Sequence, residues 1–208
     1  MMNDLDFAAL LVSRVCHDLV SPVGAVVNGL EVLEDERDAV MRADALKLVA
    51  SSAEQAAARL QFCRIAYGAA GSAGAELDLT EVGRIVAGLV RGGKVSVDWR
   101  AAALNWPKDW AKLLMNATLL AADSLPRGGQ VIVETSADPA APGFTVRAVG
   151  NNARVLDEVE RAVRGEPEVP LDGRSVQGFL THRLARSVAA ALTIATGEGR
   201  VELSTLPA

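Results

Sequence analysis

Apolar residues in the first third of the chain recur at three- and four-residue steps. Val12, Val15, Leu19, Val26, Leu30 and Leu33 fall on one face of a helix predicted from about Leu5 to Glu34, which meets no glycine before Gly24. The opposite stripe, Arg14, His17, Ser21, Gly24, Asn28, Glu31 and Asp35, is largely polar, so His17 is expected to point away from the core. The polar link Asp35-Glu36-Arg37-Asp38 precedes a second, more weakly patterned helix, traced by Met41, Ala45, Leu48, Ser52, Arg59 and Phe62 to about Tyr67. Two long helices on a short link form an antiparallel hairpin. Such a hairpin cannot bury its apolar face alone, so the pattern predicts a homodimer in which two copies make a four-helix bundle.

The segment Gly68-Ala69-Ala70-Gly71-Ser72-Ala73-Gly74-Ala75 breaks helical character and sets a boundary between residues 1–70 and 76–208. Beyond it the pattern alternates. Helices are predicted at Leu79 to Val90, Lys108 to Ser124, Leu156 to Val163 and Gly178 to Ala191. Strands are predicted at Val95 to Arg100, Gln130 to Thr135 and Phe144 to Val149, with a closing hairpin, Leu192 to Ala195 and Val201 to Thr205, turned at Gly197-Glu198-Gly199. The fold class is α+β: a helical hairpin followed by a mixed sheet covered by helices on one face.

Composition narrows the function. With 50% hydrophobic residues the 208-residue chain can bury a normal core, and only 4% aromatic residues favours closely packed helices. A net charge of −5 without a clustered basic face excludes a nucleic-acid phosphate partner. The acidic start Met1-Met2-Asn3-Asp4-Leu5-Asp6 and the absence of any apolar run approaching the ~18 residues of a membrane span predict a soluble, cytoplasmic protein with no membrane contact. Cys16 and Cys63 lie far apart in helical patterns and are expected to be buried free thiols, with no further ligands spaced for a metal.

Candidate chemistry sits at His17-Asp18-Leu19-Val20-Ser21-Pro22. It places one of only two histidines beside a carboxylate, with a proline five residues on that lacks an N–H and clashes with the carbonyl of Asp18. Gly24 and Ala25 follow on the same flank, where small side chains either admit another protein's loops or pack against a helix. His182, in Thr181-His182-Arg183, has no comparable setting and is read as a helix-surface histidine. The hexapeptide resembles the H-box of histidine kinases, which carries a phosphoacceptor histidine.

Further resemblances lie in the second half. Lys112-Leu113-Leu114-Met115-Asn116-Ala117 and Asp123-Ser124-Leu125-Pro126-Arg127-Gly128-Gly129 are similar to the N-box and following turn of the kinase ATP-binding domain, the Bergerat fold. Lys112 replaces the usual first asparagine of the box. Where a kinase shows Asp-x-Gly-x-Gly, this chain reads Gly150-Asn151-Asn152-Ala153-Arg154, without the carboxylate that reads adenine. One glycine, Gly178, remains where a phosphate loop is expected in Ser175-Val176-Gln177-Gly178-Phe179-Leu180. Backbone amides cradle phosphates only where side chains permit close approach, so these changes argue against ATP binding and for a structural domain.

An H-box hairpin followed by a degenerate ATPase-like domain resembles the ChpT-type histidine phosphotransferases of alphaproteobacteria, and the run from His17 to Glu31 carries the likeness most closely. The resemblance implies a homodimeric phosphorelay intermediate without a bound cofactor. It would accept a phosphoryl group on His17 from the receiver domain of a hybrid kinase of the CckA type and pass it to response regulators of the CtrA and CpdR types, with magnesium supplied on the receiver. Asp18 either fixes the His17 tautomer or serves within the bundle. Arg14, Ser21, Gly24 and Asn28 are candidate receiver contacts, with a solvated face as the alternative for Arg14, Ser21 and Asn28. The competing readings are an active sensor kinase core and a scaffold that binds receivers without taking phosphate.

Overall fold

A computed structural model describes residues 3–68, 74–166 and 171–206. The predicted hairpin is present as α1 (Asp4–Asp35) and α2 (Ala39–Ala66). Each start is capped by a side chain: Asn3 accepts from the Asp6 amide at 2.8 Å, and Asp38 accepts from the Val40 and Met41 amides. Most of the proposed linker, residues 69–73, lies outside the described residues.

The two helices pack closely where α1 has least bulk. A Cβ on Gly29 would lie 2.6 Å from the Val49 side chain, and Pro22 is buried within α1, which continues through it. Val15, Leu19, Val26 and Leu33 are half-buried on this side. Val12 and Leu30, expected on the same buried face, are instead 63% and 49% exposed. They belong with Val20, Val23 and Val27 to a second apolar stripe that faces solvent in the single chain. On α2, Leu46 and Leu60 are likewise exposed. Helical periodicity marked an apolar arc wider than one partner helix covers, and could not separate its two halves. The same arc makes α1 long and apolar enough to cross a membrane by length and composition, with mean hydropathy 1.5 over an 18-residue window, contrary to the sequence expectation.

The second half contains β1 (Glu76–Asp78), α3 (Leu79–Val90), β2 (Val95–Arg100), β3 (Asn105–Pro107) and α4 (Lys108–Asp123). They are followed by β4 (Gly129–Thr135), β5 (Phe144–Val149), α5 (Asp157–Arg164), α6 (Val176–Ser187), β6 (Ala191–Gly197) and β7 (Arg200–Leu206). Five strands form a mixed sheet in the order β2-β4-β5-β7-β6; only β2 and β4 run parallel, joined by a crossover through α4. The short pair β1–β3 was not predicted. Buried positions alternate along the three central strands, β4, β5 and β7. Val131, Val133, Val146, Ala148, Val201 and Leu203 are buried beneath the helices with Leu113, Leu114 and Met115 of α4. The open face carries a charged ladder across four strands, Arg100–Glu134–Arg147–Glu202.

The open end of the hairpin is fastened to this domain through both of its helices. Phe7 near the start of α1 meets Phe179 of α6 edge-on at 5.5 Å, under the Arg183 guanidinium, which also pairs with Asp4 at 3.1 Å. On α2, Phe62 and Ala66 are buried in the common core.

Candidate functional site

His17 stands on α1 with 88% of its side chain exposed, as its place in the polar stripe predicted. Its Nδ1 lies 3.4 Å from Asp18 Oδ1, which leaves Nε2 directed at solvent. Adjacent helical side chains diverge, yet the short carboxylate swings toward the ring. Its second oxygen is engaged as well, since Arg14 Nε donates to Asp18 Oδ2 at 3.0 Å across one helical turn.

Arg14 is half-buried, and its guanidinium is shared among three acceptors. Besides Asp18, Nη2 donates to Asp123 Oδ2 at the end of α4 at 3.0 Å, and Nη1 reaches the Gly173 carbonyl at 3.4 Å. Burial works against its charge, but Asp123 and Asp18 outweigh that cost and hold the guanidinium firmly protonated. The candidate receiver contact Arg14 is thus committed within the chain. Ser21 and Asn28 are exposed on α1, and Gly24 is half-buried with nothing within 4 Å of a virtual Cβ, so one flank beside His17 is open.

The second domain supplies the other wall. Ser13, Arg14, His17 and Asp18 line an open cleft of about 490 Å³ with Asp123, Asp172, Gly173 and Arg174. The loop is held stiffly: the Asp172 carboxylate accepts from the Arg174 and Ser175 amides and the Ser175 hydroxyl. The Ser175 amide, joined by these others, outweighs burial and keeps the Asp172 carboxyl below the usual range. Sequence reasoning missed Asp123, Asp172 and Arg174 as neighbours of His17. Asp123 was visible only as part of the turn after the N-box, and nothing local connects it to a residue 106 positions earlier.

The degenerate boxes have new partners. Asn116, fully buried, donates to the Ala66 carbonyl at 3.3 Å and the Lys112 carbonyl at 2.7 Å, and its Oδ1 accepts from Gln177 Nε2. Gln177 Oε1 accepts from Tyr67 Oη at 2.6 Å, and burial pushes that phenol far up so that it remains a donor. Lys112 Nζ donates to the Gly68 carbonyl at 2.6 Å. The end of α2 is therefore sewn to α4 and α6 through the N-box positions and the residue before Gly178.

The remaining box positions are equally filled. A Cβ on Gly150 would lie 2.6 Å from the Gly128 carbonyl and 2.9 Å from Leu125 Cδ2, so the position has no room for a carboxylate. Asn152 keeps a left-handed backbone, φ 66°, which asparagine tolerates better than most residues. Gly178 packs α6 against α5, since a Cβ there would meet the Val159 carbonyl at 2.8 Å. The hollow left between α4, residues 154–159 and Arg174 is about 150 Å³, below the ~300 Å³ at which small-molecule pockets begin.

His182 is not the surface residue expected. It is half-buried, with Nδ1 3.1 Å from the Val163 carbonyl and its ring stacked on Phe179. Its ring also lies against Gly165, whose φ of 72° and lack of space both require glycine. Cys16 and Cys63 are free, but Cys16 is exposed on α1 rather than buried as expected and Cys63 is half-buried, where burial, aided by the Asp18 charge, pushes the thiol up to about 11. No group of acidic, cysteine or histidine side chains among the described residues is arranged to hold a metal.

Comparison with known proteins agrees with this architecture. Residues 79–200 match the family model for the histidine phosphotransferase C-terminal domain. The chain is 40% identical over 199 residues to the protein phosphotransferase ChpT of Brucella abortus (strain 2308), covering 95% of this chain and 94% of that protein. It superposes on the solved structure of a bacterial phosphotransferase with a TM-score of 0.88 and 36% identity, covering 99% and 98% of the two chains. The catalytic domain of the histidine kinase ThkA matches at a TM-score of 0.50 and 14% identity over 64% of this chain and 94% of that one, a likeness of fold alone.

Proposed function

The chain belongs to the ChpT-type histidine phosphotransferases, and from that premise we propose that His17 is the phosphorylated residue of a multistep phosphorelay. The observation that carries the reading is an imidazole almost fully exposed on α1, with a carboxylate against Nδ1 and Nε2 free.

Transfer into the protein follows from that geometry. The Nε2 lone pair attacks the phosphorus of a receiver's aspartyl phosphate, the P–O bond breaks, and the aspartate leaves as a carboxylate. The product ring holds the phosphoryl group on Nε2 and a proton on Nδ1, and so carries a positive charge that Asp18 faces. No proton need enter or leave. Transfer onward is the same step reversed, with a second receiver's aspartate attacking. The loose transition state demands in-line positioning and charge neutralisation more than acid–base work, and the magnesium expected on the receiver supplies the latter.

In this reading receivers dock across Ser21, Gly24 and Asn28 on α1, while Arg174 lines the cleft at His17 from the second domain. The donor is the receiver of a hybrid kinase of the CckA type, and the acceptors are response regulators of the CtrA and CpdR types, in the cytoplasm. Two copies pair through the exposed stripe of Val12, Val20, Val23, Val27 and Leu30 on α1 with Leu46 and Leu60 on α2 to complete a four-helix bundle. ATP is not a substrate. The filled box positions and the small residual hollow support that reading over a sensor kinase core.

The test is transfer from a labelled phospho-receiver to the wild type and to His17→Ala, beside an incubation with ATP and magnesium. Label from the receiver alone, lost in the alanine variant, is expected. Label from ATP would make the protein a kinase, and no label from either source would leave a scaffold.

A further inference from the structure

The ion-pair cluster behind His17 crosses between the two halves of the molecule. Asp123 closes α4 in the second domain, and the Gly173 carbonyl belongs to the braced loop before α6; both grip Arg14. Arg14 in turn grips Asp18, whose free oxygen faces His17 Nδ1. Each contact constrains the next. The Arg14 guanidinium is a planar fork, so fixing Nη2 on Asp123 fixes the direction in which Nε presents to Asp18. A half-buried carboxylate one residue from the histidine, without that grip, would sample other rotamers with no preference for the imidazole.

We propose that Arg14 and Asp123 are positioning residues, through which the second domain holds Asp18 against Nδ1 of His17 and keeps the imidazole in the tautomer with Nε2 unprotonated and nucleophilic. The proposal rests on His17 being the phosphoacceptor, and it gives the degenerate domain a part in the reaction that needs no nucleotide. It also separates the carboxylates by role. Asp18 touches the imidazole, Asp123 acts only through Arg14, and Asp172 acts only by shaping the loop that offers the Gly173 carbonyl. The charged groups facing His17 in the cleft are Arg14, Asp18, Asp123, Asp172 and Arg174, with Arg59 of α2 behind Arg14 and Asp18.

The tautomer can be read directly, because the chain has only two histidines. Full-length protein labelled with 15N in the imidazole rings is examined by long-range nitrogen–proton correlation at about pH 9, where a histidine of ordinary pKa is neutral. Wild-type His17 is expected to show a protonated Nδ1 and a bare Nε2. In Asp18→Asn, Arg14→Lys and Asp123→Asn the pattern should move toward a mixture of tautomers, while His182, held by the Val163 carbonyl, stays unchanged and reports that the fold is intact. Phosphotransfer from a receiver should slow roughly fivefold in Asp123→Asn, equivalent to ~1 kcal/mol at 1.36 kcal/mol per decade, with receiver affinity unaltered. A wild-type tautomer ratio retained in Asp123→Asn would overturn the proposal. So would a loss of receiver affinity with the tautomer unmoved, which would make Asp123 a docking residue. A tautomer that responds in a protein whose His17 takes no phosphate would leave the positioning by Arg14 and Asp123 standing and remove the functional reading instead.

Discussion

Restoring the adenine-reading carboxylate by Gly150→Asp should damage the fold and recover no nucleotide binding. A Cβ at this position would sit 2.6 Å from the Gly128 carbonyl, 2.9 Å from Leu125 Cδ2 and 3.3 Å from Gly129 Cα. Leu125 can turn, but the glycine backbone cannot yield. A Cβ on Gly128 would itself meet the Lys94 carbonyl at 2.4 Å, and both Gly128 and Gly129 hold positive φ angles. Overpacking of this kind costs about 1–3 kcal/mol, and two contacts under 3 Å put Gly150→Ala toward the upper half of that range. For a chain of this size each kcal/mol lowers Tm by roughly 2–4 °C, so a drop of about 4–12 °C is expected for Gly150→Ala, and more for the larger aspartate. Calorimetric scans at matched protein concentration measure the drop, since the proposed dimerisation would make Tm concentration-dependent. Titration calorimetry with magnesium-ATP measures binding. A Gly150→Asp protein that melts with the wild type and binds ATP more tightly than about 1 mM would refute the steric reading and the claim that the site is closed.

Three further outcomes follow from other parts of the molecule. Asn116→Leu removes both bonds to the α2 and α4 carbonyls and leaves the Gln177 amide without its acceptor; stability should fall by about 1–3 kcal/mol in urea, and an unchanged midpoint would deny that the string contributes. Val27→Asp sets a carboxylate in the exposed apolar stripe and should shift sedimentation from dimer to monomer at micromolar concentration, with a dimer that persists counting against that face as the interface. In Cys16→Ala protein, the remaining thiol, Cys63, should react with a thiol reagent at a rate that climbs with pH toward about 11; because the raised pKa belongs to the folded state, its contribution to stability is present below the ordinary thiol range and is lost as pH rises through about 11, and a rate that levels near pH 9 would contradict this.

What could be read in advance was what depends on neighbours in sequence. The hairpin, the exposure of His17 and strands β2, β4 and β5 followed from periodicity with end positions shifted by a residue or so. Strands β1 and β3 did not, because three residues are too few to display a period, and the burial of Trp106 in β3 is imposed by the rest of the fold. The arc of α1 was read as one face where the molecule has two, since periodicity records apolarity and not which partner covers it. Least visible were long-range polar pairs. The Tyr67–Gln177 bond spans 110 positions and the Arg14–Asp123 pair 109, and no local pattern distinguishes those side chains from solvated ones. The box comparison singled out Lys112 and Asn116 as departures or remnants but gave no sign that they bond to the end of α2.

The seam between α2 and the N-box positions bears on the direction in which phosphate travels. A kinase invests the free energy of ATP and must let its catalytic domain swing onto the histidine and away again. Here Ala66, Tyr67 and Gly68 occupy the hinge side of that movement and tie it down, so the histidine has no shielded and unshielded phases to alternate between. On the proposed function, a carrier without its own fuel or gate would behave like a wire between two reservoirs: current would flow toward whichever receiver pool is less charged, and reverse when the pools do.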